Sequence, residues 1–138
     1  MFKLKRKADG SIDRYKARLV AKGYSQMPGL EYSEVFSPTA KWAALRAILA
    51  LAALKDLELY SLDISTAFLN GEMDCDVYMH QPEGFEDHFG SGYVLKLIKS
   101  LYGLKQADRQ WHKKLDSVLK SLSFTLFFFC LYYSCRVI

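Results

Sequence analysis

The sequence predicts an α+β fold. Three observations point there: an Asp-Gly turn between two runs of alternating character, two stretches with apolar residues at helical spacing, and short extended runs bounded by turn residues. The 138 residues suit one domain or a piece of a larger one, and a hydrophobic share of 51% allows a core.

Residues 2–7 (FKLKRK) and 12–22 (IDRYKARLVAK) flank the turn phrase ADGS, which predicts a β-hairpin over 2–22 with a basic face. GYSQMPGLEYSEVFSP reads as loop, punctuated by Pro28-Gly29 and Ser37-Pro38. Trp42, Leu45, Ile48, Leu49 and Ala52 recur at helical spacing. They predict an amphipathic helix over 40–55, with Thr39 as N-cap and the apolar stripe in the core. LELYSLDI (57–64) reads as a short strand whose end carries Asp63. Asn70-Gly71 marks a turn into a second extended run, VYMHQPEGF.

Residues 85–92 are polar and loop-like, and YVLKLIKS (93–100) reads as a further strand. Residues 104–122 place Trp111, Leu115, Val118, Leu119 and Leu122 on one face, predicting a helix with a basic back. No internal repeat or low-complexity linker stands out. The last segment, SFTLFFFCLYYSCRVI, carries no charge until Arg136 and has no amphipathic period. It reads either as a buried strand or as sequence that no longer matches the preceding fold.

Composition excludes several classes. A charged share of 25% is too high for a membrane protein and too balanced for an extended disordered chain. The basic start MFKLKRKADG has no apolar run behind it, as a secretory signal would. The longest apolar tract, 126–133, is far short of the roughly 20 residues that span a bilayer. Cys75, Cys130 and Cys135 are odd in number and scattered, the pattern of reduced thiols. The expectation is an intracellular protein (cytoplasm or nucleus) without a membrane partner.

The net charge of +4 is unevenly distributed. Residues 1–24 hold eight Lys/Arg against two Asp, residues 25–94 three against eleven Asp/Glu, and residues 95–120 seven against two. Two basic segments flank an acidic middle. A solvated surface accounts for that pattern, and so does a phosphate-binding groove with carboxylates at its centre.

Asp63 is the carboxylate that the elements single out. Nucleotidyl transfer needs hard oxygen ligands for Mg²⁺ on rigid backbone, and a strand end provides that rigidity. The tight turn at 64–67 would aim backbone N–H groups at phosphate oxygens. Phe68 would lie under a sugar ring and exclude a 2′-hydroxyl. Asp63 by itself reads more readily as an Asp capping a turn at a strand end. Other chemistries find less support. His80, His88 and His112 have no zinc spacing, Ser65 and Thr66 have no neighbouring His base, and GSG (90–92) lacks the Lys-Ser/Thr of a phosphate loop.

Four phrases occur in order: YKARLVAKGYSQ, EVFSPTAK, LDISTAFLNGEMDCDVYMHQPEGF and KSLYGLKQADRQWH. As a set, at these distances, they resemble the reverse transcriptase domain of copia-type retrotransposon Pol polyproteins. The resemblance covers residues 2–122. It implies the fingers and partial palm of a right-hand polymerase, incomplete in this chain. The family reaction is RNA-directed DNA synthesis with Mg²⁺ on a template-primer, using deoxynucleoside triphosphates.

Matched position by position, Asp63 is the first catalytic aspartate and a ligand to both Mg²⁺ ions, and the Ile64 carbonyl is a further ligand of one. Phe68 is the sugar-gating aromatic. Lys16 and Arg18 lie in the fingers phrase whose cations contact the triphosphate, either being the contact. Tyr102 and Gly103 lie in a loop abutting nucleotide and template. The residues fit those places: Gly103 permits close backbone approach, Lys105 can pair with phosphate, and Tyr102 can stack on a base.

The departures define a further expectation. The family carries a later hairpin with two adjacent aspartates, and this sequence has no Asp-Asp pair; its last acid is Asp116. Asp74 and Asp76, beyond Asn70-Gly71, are expected at a hairpin tip, too far from Asp63 to replace them. Asp108 stands where the family has Pro or Ser. The family pattern is lost near Phe124. The expectation is therefore a partial reverse transcriptase domain over 2–122, a divergent apolar tail over 123–138, and a polymerase fragment inactive by itself with the remainder of the polyprotein missing. A non-catalytic basic nucleic-acid-binding module and a non-functional genomic remnant are the alternatives.

Overall fold

The computed structural model describes residues 1–39, 41–86, 90 and 92–124. The tail over 125–138, with Cys130 and Cys135, and His88 lie outside the described residues. The described chain is a mixed α/β structure with two small antiparallel sheets and two helices.

Strand β1 (Phe2–Arg6) pairs with β2 (Ile12–Ala17), in register from Phe2 opposite Ala17 to Lys5 opposite Arg14, with an irregularity between Lys5 and Arg6. The turn forms as its sequence requires. Gly10 takes φ +85°, and the Asp9 carboxylate accepts from the Ser11 amide at 2.9 Å and its hydroxyl at 2.6 Å. The hairpin is exposed along most of its length. The following loop contains a 3₁₀ turn at Gly23–Ser25.

Helix α1 (Trp42–Leu54) matches the Ala/Leu pattern, but two expectations about it fail. Its N-cap is Lys41, without a capping side chain, rather than Thr39. Its stripe is not core: only Ala52 is buried, while Trp42 is 74% exposed and Leu45 and Leu49 also face outward. Among the described residues nothing covers most of that face.

Residues 57–64 were expected to form a strand and do not. They run extended, with Leu59, Tyr60 and Leu62 exposed. A strand needs a ladder, and among the described residues no segment pairs with this one. After it, a turn at Ser65-Thr66 leads into a 3₁₀ turn, Ala67–Asn70.

The extended run after Asn70-Gly71 pairs with residues 94–100 and not with 57–64. Glu72 bridges Lys99, and β3 (Tyr78–His80) pairs with β4 (Val94–Lys96). Between these two zones the chain bends at Asp74-Cys75. The two acids are therefore at a bend along a paired segment rather than at a hairpin tip.

Helix α2 (Ala107–Ser121) buries Ala107 and Gln110 in its first half. The stripe Trp111–Leu115–Val118–Leu119–Leu122 is only partly covered among the described residues, and Val118 and Leu122 are exposed. The backbone of Gln110-Trp111 lies so close to Gly71 that a Cβ there would be 2.9 Å away. Val77, Leu101, Leu104 and Ala107 form the core, edged by Ala21, Phe68 and Met79 among others. It sits where the loop before α2 meets β3 and the end of the hairpin.

One backbone contact closes this arrangement. The Ala21 amide donates to the Tyr102 carbonyl at 2.8 Å. A Cβ on Gly23 would fall on the Gly103 carbonyl, and one on Gly103, at φ +98°, would fall on the Ala21 carbonyl. Backbone cannot yield as a flexible side chain can. Gly23→Ala is therefore expected to lower stability by at least about 2 kcal/mol, read as a lower urea midpoint. Gly92→Ala, with nothing within 4 Å, is expected to leave the midpoint unchanged. An unchanged midpoint in Gly23→Ala would contradict the contact.

Candidate functional site

The site begins at the hairpin. Lys16 lies on β2 and Arg18 just beyond it, two residues apart, so an extended chain points both to one face. The chain then turns into Ala21–Gly23, where the backbone contact with Gly103 holds the 101–104 loop. That contact sets Tyr102. The Arg18 guanidinium carbon lies 5.9 Å from the Tyr102 ring centroid, a cation–π distance. The Phe68 ring centroid lies 5.6 Å from Tyr102, tilted by 39°.

Phe68 is placed by its 3₁₀ turn. Thr66 enters it in the left-handed region at φ 53°, the Leu69 amide donates to the Thr66 carbonyl at 2.9 Å, and Asn70 Nδ2 donates to the same carbonyl at 3.3 Å. One edge of Phe68 packs on the core, which fixes it.

Asp63 lies exposed in the extended segment before this turn, with Ile64 beside it. It is close enough to Lys16 for their charges to interact. Arg18 is the main influence on the Lys16 ammonium and, with partial desolvation, Lys5 and Arg14, pulls its pKa below 10.5, while Asp63 acts in the opposite direction. A line of neighbours thus runs from Asp63 through Lys16, Arg18 and Tyr102 to Phe68. Gly103 belongs to it through backbone alone, facing Ala21 and Gly23 rather than the open side.

Two cations, a carboxylate and an aromatic pair can receive an anion carrying a flat group. Asp74 and Asp76 are committed elsewhere. Asp74 pairs with Lys113 at 3.1 Å and Arg109 at 3.4 Å, and Asp76 with Lys96 at 2.7 Å. Partial burial pushes the Asp74 carboxyl up, but the nearby Gln110 side chain and the Lys113 ammonium outweigh it and bring its pKa below the ordinary value. Among the described residues no three His, Cys, Asp or Glu gather as a metal site. Asp63 and the Ile64 carbonyl do not by themselves make a Mg²⁺ site, which takes six ligands in near-octahedral geometry.

Lys105, expected to pair with phosphate, is instead held at Tyr32, with its ammonium 3.1 Å from the hydroxyl. Cys75 donates to the Glu31 carbonyl at 2.7 Å, and burial and the Asp74 charge push its thiol pKa up, so it is no activated nucleophile. The sequence reading missed Gln26 and Gln106, which are buried in contact with each other between the hairpin end and α2. Polar residues in loop-like phrases give no periodic signal. The one available clue is that each follows a glycine by three positions.

The comparisons bear on most of the chain. The family described as "Reverse transcriptase (RNA-dependent DNA polymerase)" matches residues 1–131. The chain is 52% identical over 124 residues to the retrovirus-related Pol polyprotein from transposon TNT 1-94 of Nicotiana tabacum, covering 90% of this chain and 9% of that protein. It is 49% and 47% identical, again over 124 residues, to those from transposons RE1 and RE2 of Arabidopsis thaliana, covering 8% of each. The chain thus spans under a tenth of the length of these relatives. No solved structure matches it.

The line of neighbours makes a titration prediction. The lowered Lys16 pKa means that the folded chain holds this proton less well than the unfolded chain. Stability should therefore rise with pH between the lowered value and 10.5. Followed by carbon-detected NMR at the Lys16 side chain, Arg18→Gln is expected to raise the pKa and Asp63→Asn to lower it further. A Lys16 titration indifferent to both substitutions would break the line.

Proposed function

Because the chain belongs to the reverse transcriptase (RNA-dependent DNA polymerase) family, we propose that it forms the fingers and leading palm of a copia-type retrotransposon polymerase. The reaction it would serve is template-directed nucleotidyl transfer from deoxynucleoside triphosphates. The observation that carries this reading is the gathering of Lys16, Arg18, Asp63, Phe68 and Tyr102 in one corner.

Each residue then has a task its chemistry suits. Lys16 and Arg18 hold the triphosphate, Arg18 through a planar fork that matches phosphate oxygens. Phe68 lies under the sugar and leaves no room for a 2′-hydroxyl. Tyr102 stacks on the base or template, held in place by the Gly103 backbone. Asp63, with the Ile64 carbonyl, is the chain's contribution to Mg²⁺ ligation. When bound, that ion neutralises phosphate charge in the transfer.

Asp63 supplies one carboxylate where two-metal transfer needs shared ones, so the chain receives a nucleotide without polymerising it. A second reading, a non-catalytic nucleic-acid-binding module, is favoured by the exposed hairpin with its Lys3, Lys5, Arg6, Lys7, Arg14 and Lys16.

Primer extension with the purified chain tests both. The expected result is no synthesis above background, the same in Asp63→Asn, with salt-sensitive retention of the template-primer. Asp63-dependent DNA synthesis would overturn the proposed inactivity, and no retention at low salt would remove the second reading.

A further inference from the structure

Two phrases of the sequence, GYSQ at 23–26 and GLKQ at 103–106, share the pattern Gly-x-x-Gln. In the fold they meet face to face. The two glycines touch through backbone, as described above, and the two glutamines touch through their amides. Gln26 is 7% exposed and Gln106 1%, so both side chains are more than nine-tenths buried.

Their hydrogen bonds specify one register. Gln26 Nε2 donates to Gln106 Oε1 at 3.1 Å, and Gln26 Oε1 accepts from the Lys105 amide at 2.8 Å. Gln106 Nε2 donates to the Glu31 carbonyl at 2.9 Å and lies 3.6 Å from Cys75 Sγ. Sliding either phrase by one residue would leave buried amides without partners, a cost that a buried apolar pair would not impose. Leucines could fill the space but would not define the register.

The clasp is tied to Tyr102 through backbone. The Ala21–Tyr102 backbone bond and the Gly103 turn connect the glutamine pair to the ring that faces Arg18 and Phe68. We propose that Gln26 and Gln106 are positioning residues, a paired Gly-x-x-Gln clasp that sets Tyr102 for the incoming nucleotide. The inference rests on the reading of that corner as nucleotide-binding, but its structural half can be tested separately.

The test compares the full chain with Gln26→Leu, Gln106→Leu and the double variant. Three quantities are read by NMR: exchange of the Ala21 amide, the Tyr102–Phe68 ring contact, and affinity for dTTP from shift titration. In either single variant, Ala21 exchange is expected to quicken and dTTP affinity to weaken by about tenfold each, the scale of one buried hydrogen bond. The ring contact should be lost, while α2 amides such as Leu115 change far less. The double variant should be little worse than the single ones, because the two side chains act as a unit.

Persistence of the ring contact and of Ala21 protection in either variant would overturn the clasp. So would equal loss of protection at Ala21 and Leu115, or failure of both single variants to fold, since either result assigns the pair to general stability. If the unaltered chain binds no dTTP, the functional reading falls, while the ring contact and the exchange rates still decide the clasp.

Discussion

The structure depends on one close approach, the backbone of residues 21–23 against that of 102–104. Only glycine allows it on either side, since a Cβ at Gly23 or Gly103 would occupy the opposite carbonyl. Without it, the exposed hairpin would lose its backbone tie to the 101–104 loop. With it, the same contact carries Arg18 to Tyr102 and brings the hairpin's cations over the segment that holds Asp63. Among the described residues the core beside it is four buried apolar residues, too few to hold the hairpin by area alone. Geometry substitutes for area: a backbone hydrogen bond, two glycines and two buried amides fix in direction what the core cannot fix in energy.

Charge follows the same division. Four acids of the middle segment pair with the second basic segment: Glu34 with Arg109, Glu72 with Lys114, Asp74 with Lys113 and Asp76 with Lys96. Each pair is exposed enough to contribute little stability alone. Together they dock α2 and β4 against residues 72–76 and neutralise that side. Among the described residues the hairpin's ion pair is local, Arg14 with Asp13. The acids of the middle segment therefore do not neutralise the first basic segment as they do the second, and Asp63 is the acid near its Lys16. The alternation of charge along the sequence has a spatial meaning only once this pairing is known.

What the sequence made legible was what local chemistry determines. ADGS specifies the hairpin turn, and Ala/Leu spacing specifies α1 within two residues of the expected start. The neighbourhood of Lys16, Arg18, Asp63, Phe68 and Tyr102 followed from the family resemblance, since their separations along the chain say nothing about proximity. What failed were inferences that assumed partners. Residues 57–64 have strand composition, but composition supplies no second strand. The stripes of α1 and α2 are correctly periodic, yet a period says which residues share a face and not whether anything covers it. Asp74 and Asp76 were placed by assuming that Asn70-Gly71 folds the run back on Asp63's segment, whereas its ladder is with 94–100. Gln26 and Gln106 were invisible because their meaning is mutual.

We propose that the backbone contact of 21–23 with 102–104 assembles a nucleotide-receiving corner from segments that are distant in sequence. The most direct test is residue-resolved NMR of the full chain titrated with a deoxynucleoside triphosphate. The account predicts saturable shifts at Lys16, Arg18, Phe68 and Tyr102, propagating to Ala21 and Gly103, with the far end of α2 unmoved. Shifts centred elsewhere, or Lys16 responding without Tyr102 and Phe68, would contradict it.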